Sequence, residues 1–457
     1  MNMTLVDLAS AIGIVHEGDQ CVTGIKIDTR LIQRGDVFVA VKGSKVDGHD
    51  YLRAAQCRGA VAAIVNTRNA SLDLLQFEVT NTVCALGNIA AKYREQLLPL
   101  VIGVTGSYGK TSTKDMIAVV MGASAPSHAT SGNFNTEFGL PLTILAAPTD
   151  TKNLILEMGM RGPGQIAELC QIARPTIGVL TNLGSSHLEL LGSMDAITLA
   201  KCELFASLPG TGTAVISQTL VENDIVMSAI QHCNRLIVGN GPTCDVRYDH
   251  VEASAKWVTF TVTVGGVAHS VRLHTPARFA VENACLSIAA GVAAGVDVKA
   301  AVSALSTWLP SEGRMKPRVA VNGATVLSDA YNAAPEAVVA AIGVLAESAS
   351  PGHGETWAIL GEMRELGAET ERWHQIVGEA VAEARIDHLV IVGDAARMIR
   401  VGALYAGMRA DKIHMYADPD SAAQVLGLVI MPSDTVLVKG SRVAGLNKVV
   451  DALCGAA

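Results

Sequence analysis

The sequence LVIGVTGSYGKTST, residues 100–113, decides how the centre of the chain folds. Its first half is a continuous aliphatic run that predicts a buried parallel strand. Gly106 and Gly109 then predict a tight turn into a helix that begins near Lys110. A glycine-rich turn between a strand and a helix directs backbone N–H groups and the helix N-terminus at phosphate oxygens. In such a loop Lys110 reaches the β- and γ-phosphates of a nucleotide, and Thr111 offers a hydroxyl to Mg²⁺.

The spacing of this loop departs from the standard nucleotide-binding pattern. Val104 stands five positions before Gly109, where that pattern has a glycine. The alternative is an ordinary strand-to-helix turn that carries a surface lysine. Strand, glycines, Lys-Thr and helix occur in register, which favours the phosphate loop.

Aliphatic runs on both sides of the loop predict an α/β chain with parallel sheets. A β-hairpin is predicted around Gly265-Gly266. At about 150 residues per domain, the 457 residues suggest three domains, 1–83, 84–313 and 314–457, of which the last is predicted to be Rossmann-like. The other predicted strands are residues 36–42, 60–65, 153–157, 177–181, 212–216, 324–329, 357–360, 388–392 and 435–438.

Composition excludes several classes of protein. The chain is 49% hydrophobic, which excludes disorder, and its net charge of −8 with no basic block argues against a nucleic-acid-binding protein. The longest uncharged aliphatic stretch, residues 283–296, is shorter than the roughly 20 residues that a membrane span needs. The nine cysteines include no Cys-x-x-Cys pair, so free thiols in a reducing compartment are expected. We therefore expect a soluble cytoplasmic protein.

Several further motifs accompany the phosphate loop in a fixed order. They are GNFN at 132–135, EMGM at 157–160, TNLGSSH at 181–187, AKCE at 200–203, DAYNA at 329–333 and KGSR at 439–442. Together with the Gly-x-x-Gly-Lys-Thr loop, they resemble the Mur ligases over nearly the whole chain. In the N-terminal region, DTR at 28–30, GDVFVAVKG at 35–43 and DGHD at 47–50 resemble the branch of that family that acts on a UDP-muramoyl tripeptide.

The resemblance implies an ATP-dependent amide ligase of three domains, in order a UDP-substrate domain, an ATP-binding domain and a Rossmann-like domain. Its reaction would join D-alanyl-D-alanine to UDP-N-acetylmuramoyl-tripeptide through an acyl phosphate, during the cytoplasmic stage of peptidoglycan synthesis. Two Mg²⁺ ions would assist, and a monomer whose domains close on ATP is expected. Two alternatives are an amide ligase of a specialised pathway with a different acceptor, and a catalytically silent nucleotide-binding homologue.

The resemblance also assigns roles to residues. Catalytic roles fall to Lys110, Glu157, His187 and Lys201. Thr111 and Glu157 would hold one Mg²⁺, while His187 and a carbamate on Lys201 would hold the second. ATP would contact Thr105, Gly106, Ser107, Tyr108, Gly109, Lys110, Thr111, Ser112, Asn283, Arg314, Asp329, Tyr331 and Asn332. The two substrates would contact Thr29, Arg30, Lys42, Gly43, Asp47, Gly48 and His49 in the N-terminal region, Asn133, Phe134 and Asn135 near the reacting carboxylate, and Lys439, Ser441 and Arg442 near the C-terminus.

Residue types alone leave other roles open at several of these positions. Lys201 could be a helix-surface lysine, His187 a loop histidine, and Glu157 or Asp329 a strand-end carboxylate. The chain also departs from the family pattern at Phe279-Ala280, where His-Asn is usual, and at Ala334, where a second asparagine is usual. The other departures are Glu362, in place of an aspartate, and Val443-Ala-Gly-Leu446, in place of methionines.

Overall fold

A computed structural model describes residues 1, 3–254, 256–348 and 354–455. The predicted third domain runs to residue 457, and its residues 349–353 and 456–457 lie outside the described residues. The N-terminal elements are β1 (Met3–Thr4), α1 (Leu5–Ala11), β2 (Cys21–Val22), β3 (Ile25–Lys26), β4 (Val37–Val39), α2 (Leu52–Cys57), β5 (Ala62–Val65) and β6 (Leu75–Glu78).

The strands β3–β6 form a four-stranded parallel sheet with both faces buried. Successive strand residues point to opposite faces, so Val37 and Val39 of β4 pack with α1 while Phe38 packs with α2. The following helix, α3 (Thr82–Leu97), places Leu86 and Ile89 in the same core cluster as Val37 and Val39. This helix therefore joins the N-terminal sheet to the centre of the molecule.

The central part of the chain alternates strands and helices. It includes an antiparallel hairpin, which is followed by two helices. Its elements are β7 (Leu100–Thr105), α4 (Lys110–Gly122), β8 (Ser127–Ala129), α5 (Gly139–Leu145), β9 (Asn153–Glu157), α6 (Gln165–Ala173), β10 (Ile177–Leu180), α7 (Leu188–Leu191), α8 (Met194–Ala206), β11 (Thr213–Ser217), α9 (Asp224–Ala229), β12 (Asn234–Gly239), β13 (Val246–Ala253), β14 (Val258–Val264), β15 (Val267–Leu273), α10 (Ala280–Ala293) and α11 (Val298–Leu305).

These strands form one nine-stranded sheet in the order β15-β14-β13-β12-β11-β10-β7-β9-β8. The seven strands β7–β13 are parallel, and β14 and β15 are antiparallel. After β7 the chain moves to β8 and β9 on one side and then crosses to β10 on the other. The loop after β7 therefore lies where the strand order reverses, the position at which open α/β sheets place their ligands.

Strand β7 packs helices on both of its faces. Ile102 and Val104 lie in a core cluster with Met116 of α4, while Val101 faces the cluster that contains α3, α5 and α6. The first of these clusters continues into the C-terminal region through Val338. The central sheet thus shares a continuous apolar core with the regions on either side of it.

The C-terminal region is a second α/β layer structure. Its elements are β16 (Lys316–Val319), β17 (Thr325–Asp329), α12 (Pro335–Ser348), β18 (Thr356–Leu360), α13 (Thr370–Glu383), β19 (His388–Val392), α14 (Met398–Tyr405), β20 (Ile413–Tyr416), α15 (Pro419–Val429), β21 (Thr435–Lys439) and α16 (Asn447–Cys454). The strand order is β16-β17-β21-β18-β19-β20, parallel except for the edge strand β16. Alternate residues of β18 face opposite core clusters, Ala358 with α12–α14 and Ile359 with α15 and α16. We refer to this region as the C-terminal domain.

The structure confirms the predicted α/β class, its parallel sheets and the hairpin at Gly265-Gly266. The strand predicted at residues 36–42 is shorter, because only Val37–Val39 pairs continuously with its neighbours. Strands β12 and β13 were not expected. The aliphatic run of β12 is only three residues long, 236–238, and β13 contains five polar or charged residues among its eight. The division at residue 83 falls in the first turn of α3, and the domain boundaries stay a prediction. Among the described residues, no helix has the length and hydropathy to cross a membrane.

The start of α3 yields a stability prediction. The Asn81 side chain accepts hydrogen bonds from the backbone N–H groups of Val83 and Cys84, at 2.8 and 3.0 Å. Replacing such a cap by alanine costs about 1 kcal/mol, whereas serine keeps an acceptor. We expect Asn81→Ala to lower the free energy of unfolding by about 1 kcal/mol in urea titrations, and Asn81→Ser to lower it by less than half as much. Equal stability of the two variants would contradict this role of Asn81.

Candidate active site

The phosphate loop, residues 106–111, connects β7 to α4 at the strand-order reversal. Gly106 and Gly109 have φ of +149° and +75°, a region that favours glycine. A Cβ on Gly106 would lie 1.9 Å from Thr181 Oγ1, so no other residue fits there. Lys110 Nζ donates to the carbonyl oxygens of Gly106 and Ser107 at 2.7 and 3.2 Å. Burial lowers the pKa of the Lys110 ammonium, and Glu157 opposes that shift.

The end of β10 holds the phosphate loop in place. Thr181 Oγ1 and Asn182 Nδ2 donate to the Tyr108 carbonyl oxygen at 2.7 and 2.9 Å. Tyr108 N–H donates to Asn182 Oδ1 at 3.0 Å, and Ser107 N–H donates to the Asn182 carbonyl oxygen at 3.2 Å. The loop conformation is thus set by the neighbouring strand as well as by its own glycines.

Glu157 ends β9 and contacts Thr111, the second residue of α4. Its Oε2 accepts the Thr111 hydroxyl at 2.8 Å, and its Oε1 accepts Asn135 Nδ2 at 2.7 Å. Its backbone N–H donates to Thr130 Oγ1 at 3.0 Å. A carboxylate and a hydroxyl oxygen that lie this close, beside the phosphate loop, are the kind of donors that Mg²⁺ prefers.

The Lys201 side chain projects from α8 to the phosphate loop, and the residue is only 1% exposed. Its Nζ donates to the Gly106 carbonyl oxygen at 3.0 Å, so that this one carbonyl accepts both Lys201 and Lys110. Burial lowers the pKa of the Lys201 ammonium well below its usual value, and the charge of Lys110 lowers it further. The helix-surface role that position alone would allow for Lys201 is therefore excluded.

His187 lies at the N-terminus of α7 with a φ of +69°, a strained value for a residue with a side chain. Its Nδ1 is buried, and within the described residues its polar contact is Glu365 Oε2 at 2.5 Å. That contact lowers the pKa of the Glu365 carboxyl. The Glu365 carbonyl oxygen also accepts the Glu189 N–H at 3.2 Å. A loop of the C-terminal domain is thus packed directly on His187.

The C-terminal domain brings basic side chains to the phosphate loop. Arg314 Nη2 donates to Thr111 Oγ1 at 3.1 Å, and its guanidinium lies 4.0 Å from the centre of the Tyr331 ring. Lys439 and Asp329 form a buried ion pair of 2.6 Å. Burial raises the pKa of the Asp329 carboxyl, and the charge of Lys439 opposes this shift. Arg442 lies over the same Tyr331 ring at 6.0 Å.

One cavity of about 2100 Å³ connects these groups. Its lining includes both sides of the phosphate loop, the end of β9, the start of α8 and the C-terminal strand ends. The predicted site residues that line it are Gly106, Ser107, Tyr108, Gly109, Lys110, Thr111, Ser112, Asn133, Phe134, Asn135, Glu157, His187, Lys201, Asn283, Arg314, Asp329, Tyr331, Asn332, Lys439, Ser441 and Arg442. Thr105 lies behind the loop, where its hydroxyl donates to the Met158 carbonyl oxygen at 2.9 Å.

The N-terminal candidates lie elsewhere. The cavity lining does not include Thr29, Arg30, Lys42, Gly43, Asp47, Gly48 or His49, although it includes their neighbours at 23–28 and Leu31. The His49 ring is held within its own loop, with Nδ1 2.7 Å from Asp47 Oδ1 and Nε2 accepting the Asn66 N–H at 2.9 Å. The role of these seven residues in substrate binding stays a prediction.

Two carboxylates at the site, those of Glu365 and Glu336, were not predicted from the sequence to be functional. Glu365 belongs to the motif GEMRELG at 361–367, whose spacing does not point to His187. Glu336 follows Pro335 at the start of α12 and accepts hydrogen bonds from Ser185. Both contacts join residues more than 150 positions apart, and only the folded arrangement of the domains brings them together.

Fold and site together define an α/β nucleotide-binding protein whose phosphate loop lies in the central sheet domain and faces a cavity that the C-terminal domain also lines. The comparisons with known proteins make that class specific. Residues 104–291 match the family model for the Mur ligase middle domain, residues 313–442 that for the Mur ligase, glutamate ligase domain, and residues 21–96 that for the Mur ligase family, catalytic domain. The chain belongs to the Mur ligase family.

Relatives within the family cover almost the entire chain. UDP-N-acetylmuramoyl-tripeptide–D-alanyl-D-alanine ligase of Bacillus subtilis (strain 168) is 33% identical over 94% of this chain and 92% of its own length. The ligase of the same name from Escherichia coli (strain K12) is 32% identical over 99% of this chain and 98% of its own length. Among solved structures, MurF from Acinetobacter baumannii has a TM-score of 0.90 at 27% identity, with 99% of both chains covered. MurF from Thermotoga maritima in complex with ADP has a TM-score of 0.84 at 28% identity, covering 96% of this chain and 99% of its own.

The buried ion pair of the site yields a second prediction. The side chains of Lys439 and Asp329 are 3% and 12% exposed, so removing the lysine leaves a buried carboxylate without its partner. Such a loss costs about 3–5 kcal/mol. We expect Lys439→Ala to lower the free energy of unfolding of the C-terminal domain by about that amount in denaturant titrations. Lys448→Ala, which removes an ion pair with Asp420 that is more than 60% exposed, is the control and should cost about 1 kcal/mol or less. Similar losses in both variants would contradict the importance of burial.

Proposed function

We propose that this protein is an ATP-dependent amide ligase that joins D-alanyl-D-alanine to UDP-N-acetylmuramoyl-tripeptide. The observation that carries the proposal is the single cavity that gathers the phosphate loop, Glu157, Lys201 and the C-terminal strand ends. Its volume of about 2100 Å³ exceeds the roughly 300–1,000 Å³ of an ordinary ligand pocket. It therefore suits an enzyme that holds a nucleotide together with two further substrates. The names of the relatives that cover the full chain support the choice of substrates.

The proposed chemistry proceeds in two steps. The carboxylate of the tripeptide attacks the γ-phosphorus of ATP, so that a C(O)O–P bond forms, the bond to the β-phosphate breaks and ADP leaves. The amine of the dipeptide then attacks the carbonyl carbon of this acyl phosphate, phosphate leaves, and a proton is lost from nitrogen as the amide forms. Both partners of the first step are anions, so the transition state needs positive charge at fixed positions. Lys110, on the phosphate loop, and Arg314, beside Thr111, supply it.

Magnesium fits one part of the site as it stands. Glu157 Oε2 and Thr111 Oγ1 lie 2.8 Å apart at the mouth of the phosphate loop, and both are hard oxygen donors. When bound, Mg²⁺ neutralises charge on the β- and γ-phosphate oxygens. Asn135 fixes the other oxygen of the Glu157 carboxylate, so the carboxylate is already oriented. Binding of ADP by the Thermotoga maritima relative supports placing ATP against this loop.

A second ion fits only if Lys201 is modified. Within the residues that the structure describes, no three His, Cys, Asp or Glu side chains form a metal site, and an ammonium group repels cations. A buried amine with a lowered pKa is a good nucleophile for CO₂. Addition of CO₂ to Lys201 Nζ with loss of one proton gives a carbamate, an anion that faces the same cavity as His187. We include this carbamate in the proposal.

The remaining assignments belong to the same proposal. Asn133, Phe134 and Asn135 border the cavity next to Glu157 and would contact the reacting carboxylate. Asn283 borders the phosphate loop, since its Oδ1 would lie only 3.1 Å from a Cβ placed on Gly109, and the resemblance to the family implies that it contacts the base of ATP. The cytoplasmic location, the monomeric state and the contacts of the N-terminal residues with the UDP-sugar stay predictions.

The reaction is tested by phosphate release. We expect the purified protein with Mg²⁺ and ATP to release phosphate only when UDP-N-acetylmuramoyl-tripeptide and D-alanyl-D-alanine are both present, because the acyl phosphate needs the carboxylate and its breakdown needs the amine. Omission of each substrate in turn is the control. Release with a different acceptor in place of the dipeptide would favour a specialised pathway. Binding of ATP without any substrate-dependent release would favour the catalytically silent homologue.

Lys201 gives a second test of the proposal. We expect Lys201→Ala to reduce turnover by about 100-fold or more, since one fixed group that stabilises charge contributes about that factor. A small carboxylate such as formate should restore part of it. Carbon NMR with ¹³CO₂ should show a carbamate signal in the unmodified protein and none in the variant. Lys152→Ala, at an exposed position of the same domain, is the control. Full activity of Lys201→Ala would refute the proposed role.

A further inference from the structure

A short segment lies between the phosphate loop and the C-terminal domain. We call residues 181–187 the bridging loop. On one side it holds the phosphate loop through Ser107, whose hydroxyl accepts the Gly184 N–H at 2.8 Å and donates to the Gly184 carbonyl oxygen at 3.0 Å. Ser186 Oγ donates to the Ser107 carbonyl oxygen at 3.3 Å. A shift of the bridging loop would therefore move the phosphate loop with it.

On its other side the bridging loop is held by Glu336 of the C-terminal domain. Ser185 N–H donates to Glu336 Oε1 at 2.9 Å, and Ser185 Oγ donates to Glu336 Oε2 at 3.2 Å. Both oxygens of the Glu336 carboxylate thus accept hydrogen bonds from Ser185, a residue that is only 1% exposed. Glu336 lies in the first turn of α12, where the positive end of the helix favours a negative charge.

Close approach at Gly184 makes this contact possible. A Cβ on Gly184 would lie 3.2 Å from the carboxyl carbon and Oε2 of Glu336, and 3.0 Å from Tyr108 Cε1. The backbone of the bridging loop is therefore packed between a side chain of the phosphate loop and a side chain of the C-terminal domain. The three segments form one contiguous unit, and movement of the C-terminal domain away from the bridging loop would break it.

We propose that Glu336 is a positioning residue that couples the docking of the C-terminal domain to the shape of the phosphate loop. When the domain is docked, Glu336 fixes Ser185, and Gly184 then fixes Ser107. When it is not docked, the N–H and hydroxyl groups of Ser185 lose the carboxylate that fixes them, so residues 184–186 of the bridging loop rearrange. The phosphate loop is then held only by its contacts with Thr181 and Asn182, the first two residues of the bridging loop.

Glu347 provides a matched control on the same helix. It also joins α12 to the central domain, through an ion pair with Arg278 at 2.8 Å, but both side chains are nearly half exposed. An exposed ion pair contributes little, and this one lies away from the bridging loop. Loss of Glu347 therefore removes a contact between the same two domains without touching Ser185.

The first measurement is hydrogen exchange of the backbone amides of residues 184–186 in the full-length protein. We expect Glu336→Ala to speed this exchange by about 10-fold or more, because the hydrogen bonds to a charged acceptor are lost. Glu336→Gln should stay within about threefold of the unmodified protein, because an amide oxygen still accepts the Ser185 N–H and its NH₂ can donate to the hydroxyl oxygen. Glu347→Ala should leave the exchange unchanged. Gly184→Ala should speed it by a separate, steric route.

The second measurement is turnover in the proposed ligase reaction, and this part alone rests on the proposed function. We expect Glu336→Ala to lower kcat about 10-fold or more and to change KM for ATP by less than about threefold, because Thr181 and Asn182 still hold the Tyr108 carbonyl of the phosphate loop. Glu336→Gln should restore kcat, and Glu347→Ala should not lower it.

The results separate this inference from the proposed function. Faster exchange in Glu336→Ala, restored by glutamine, supports the coupling even if the protein turns over a different substrate. Unchanged exchange at residues 184–186 in Glu336→Ala would overturn it. An equal effect of Glu347→Ala would also overturn it, because any loss of domain contact would then suffice. Equal losses in the alanine and glutamine variants would overturn the role given to hydrogen-bond geometry.

Discussion

The geometry of the candidate active site depends on one backbone carbonyl group, that of Gly106. This carbonyl accepts hydrogen bonds from two buried lysines. Lys110 Nζ and Lys201 Nζ donate to it at 2.7 and 3.0 Å, from α4 and α8 respectively. Burial is the main reason that the pKa of the Lys201 ammonium falls well below its usual value, and repulsion by the charge of Lys110 in a site shielded from water lowers it further. The site is relieved in two ways, by an anionic ligand that shares both charges or by conversion of Lys201 into a neutral or anionic group. The triphosphate of ATP is such an anionic ligand, and the carbamate proposed for Lys201 is such a group.

The bridging loop explains how a site built from separate domains keeps its geometry. Its residues Thr181 and Asn182, directly after β10, fix Tyr108. Ser185 and His187 contact Glu336 and Glu365 of the C-terminal domain. The strained φ of His187 lies between these two sets of contacts. Strain of this kind persists only where surrounding contacts hold it. The loop is therefore an element whose conformation both domains determine.

The sequence predicted the part of the molecule that depends on local chemistry. The aliphatic run before Gly106 and the Lys-Thr after Gly109 determine the strand, turn and helix of the phosphate loop, and the structure has them in that order. Aliphatic runs such as residues 153–157 and 435–438 predicted buried strands and hence parallel sheets. The sequence could not predict contacts between residues that lie far apart along the chain. No pattern links Glu336 to Ser185, and β12, with its exposed Asn234 and Arg235, gains its strand structure by pairing with β11.

The net charge of −8 raises the question of how an acidic protein attracts substrates that are themselves anions. Charge in a narrow cavity acts locally, because low-dielectric walls concentrate the field of the few groups that line it. The positive charge of Lys439 is largely cancelled there by the negative charge of Asp329. Lys439 therefore contributes more to the stability of the fold than to the electric field in the cavity. Arg314 differs, because it contacts Thr111 and the face of Tyr331 and has no carboxylate of its own among its described contacts. Lys110 comes from the central domain and Arg314 from the edge of the C-terminal sheet, so a triphosphate meets the full positive charge only where the two domains touch.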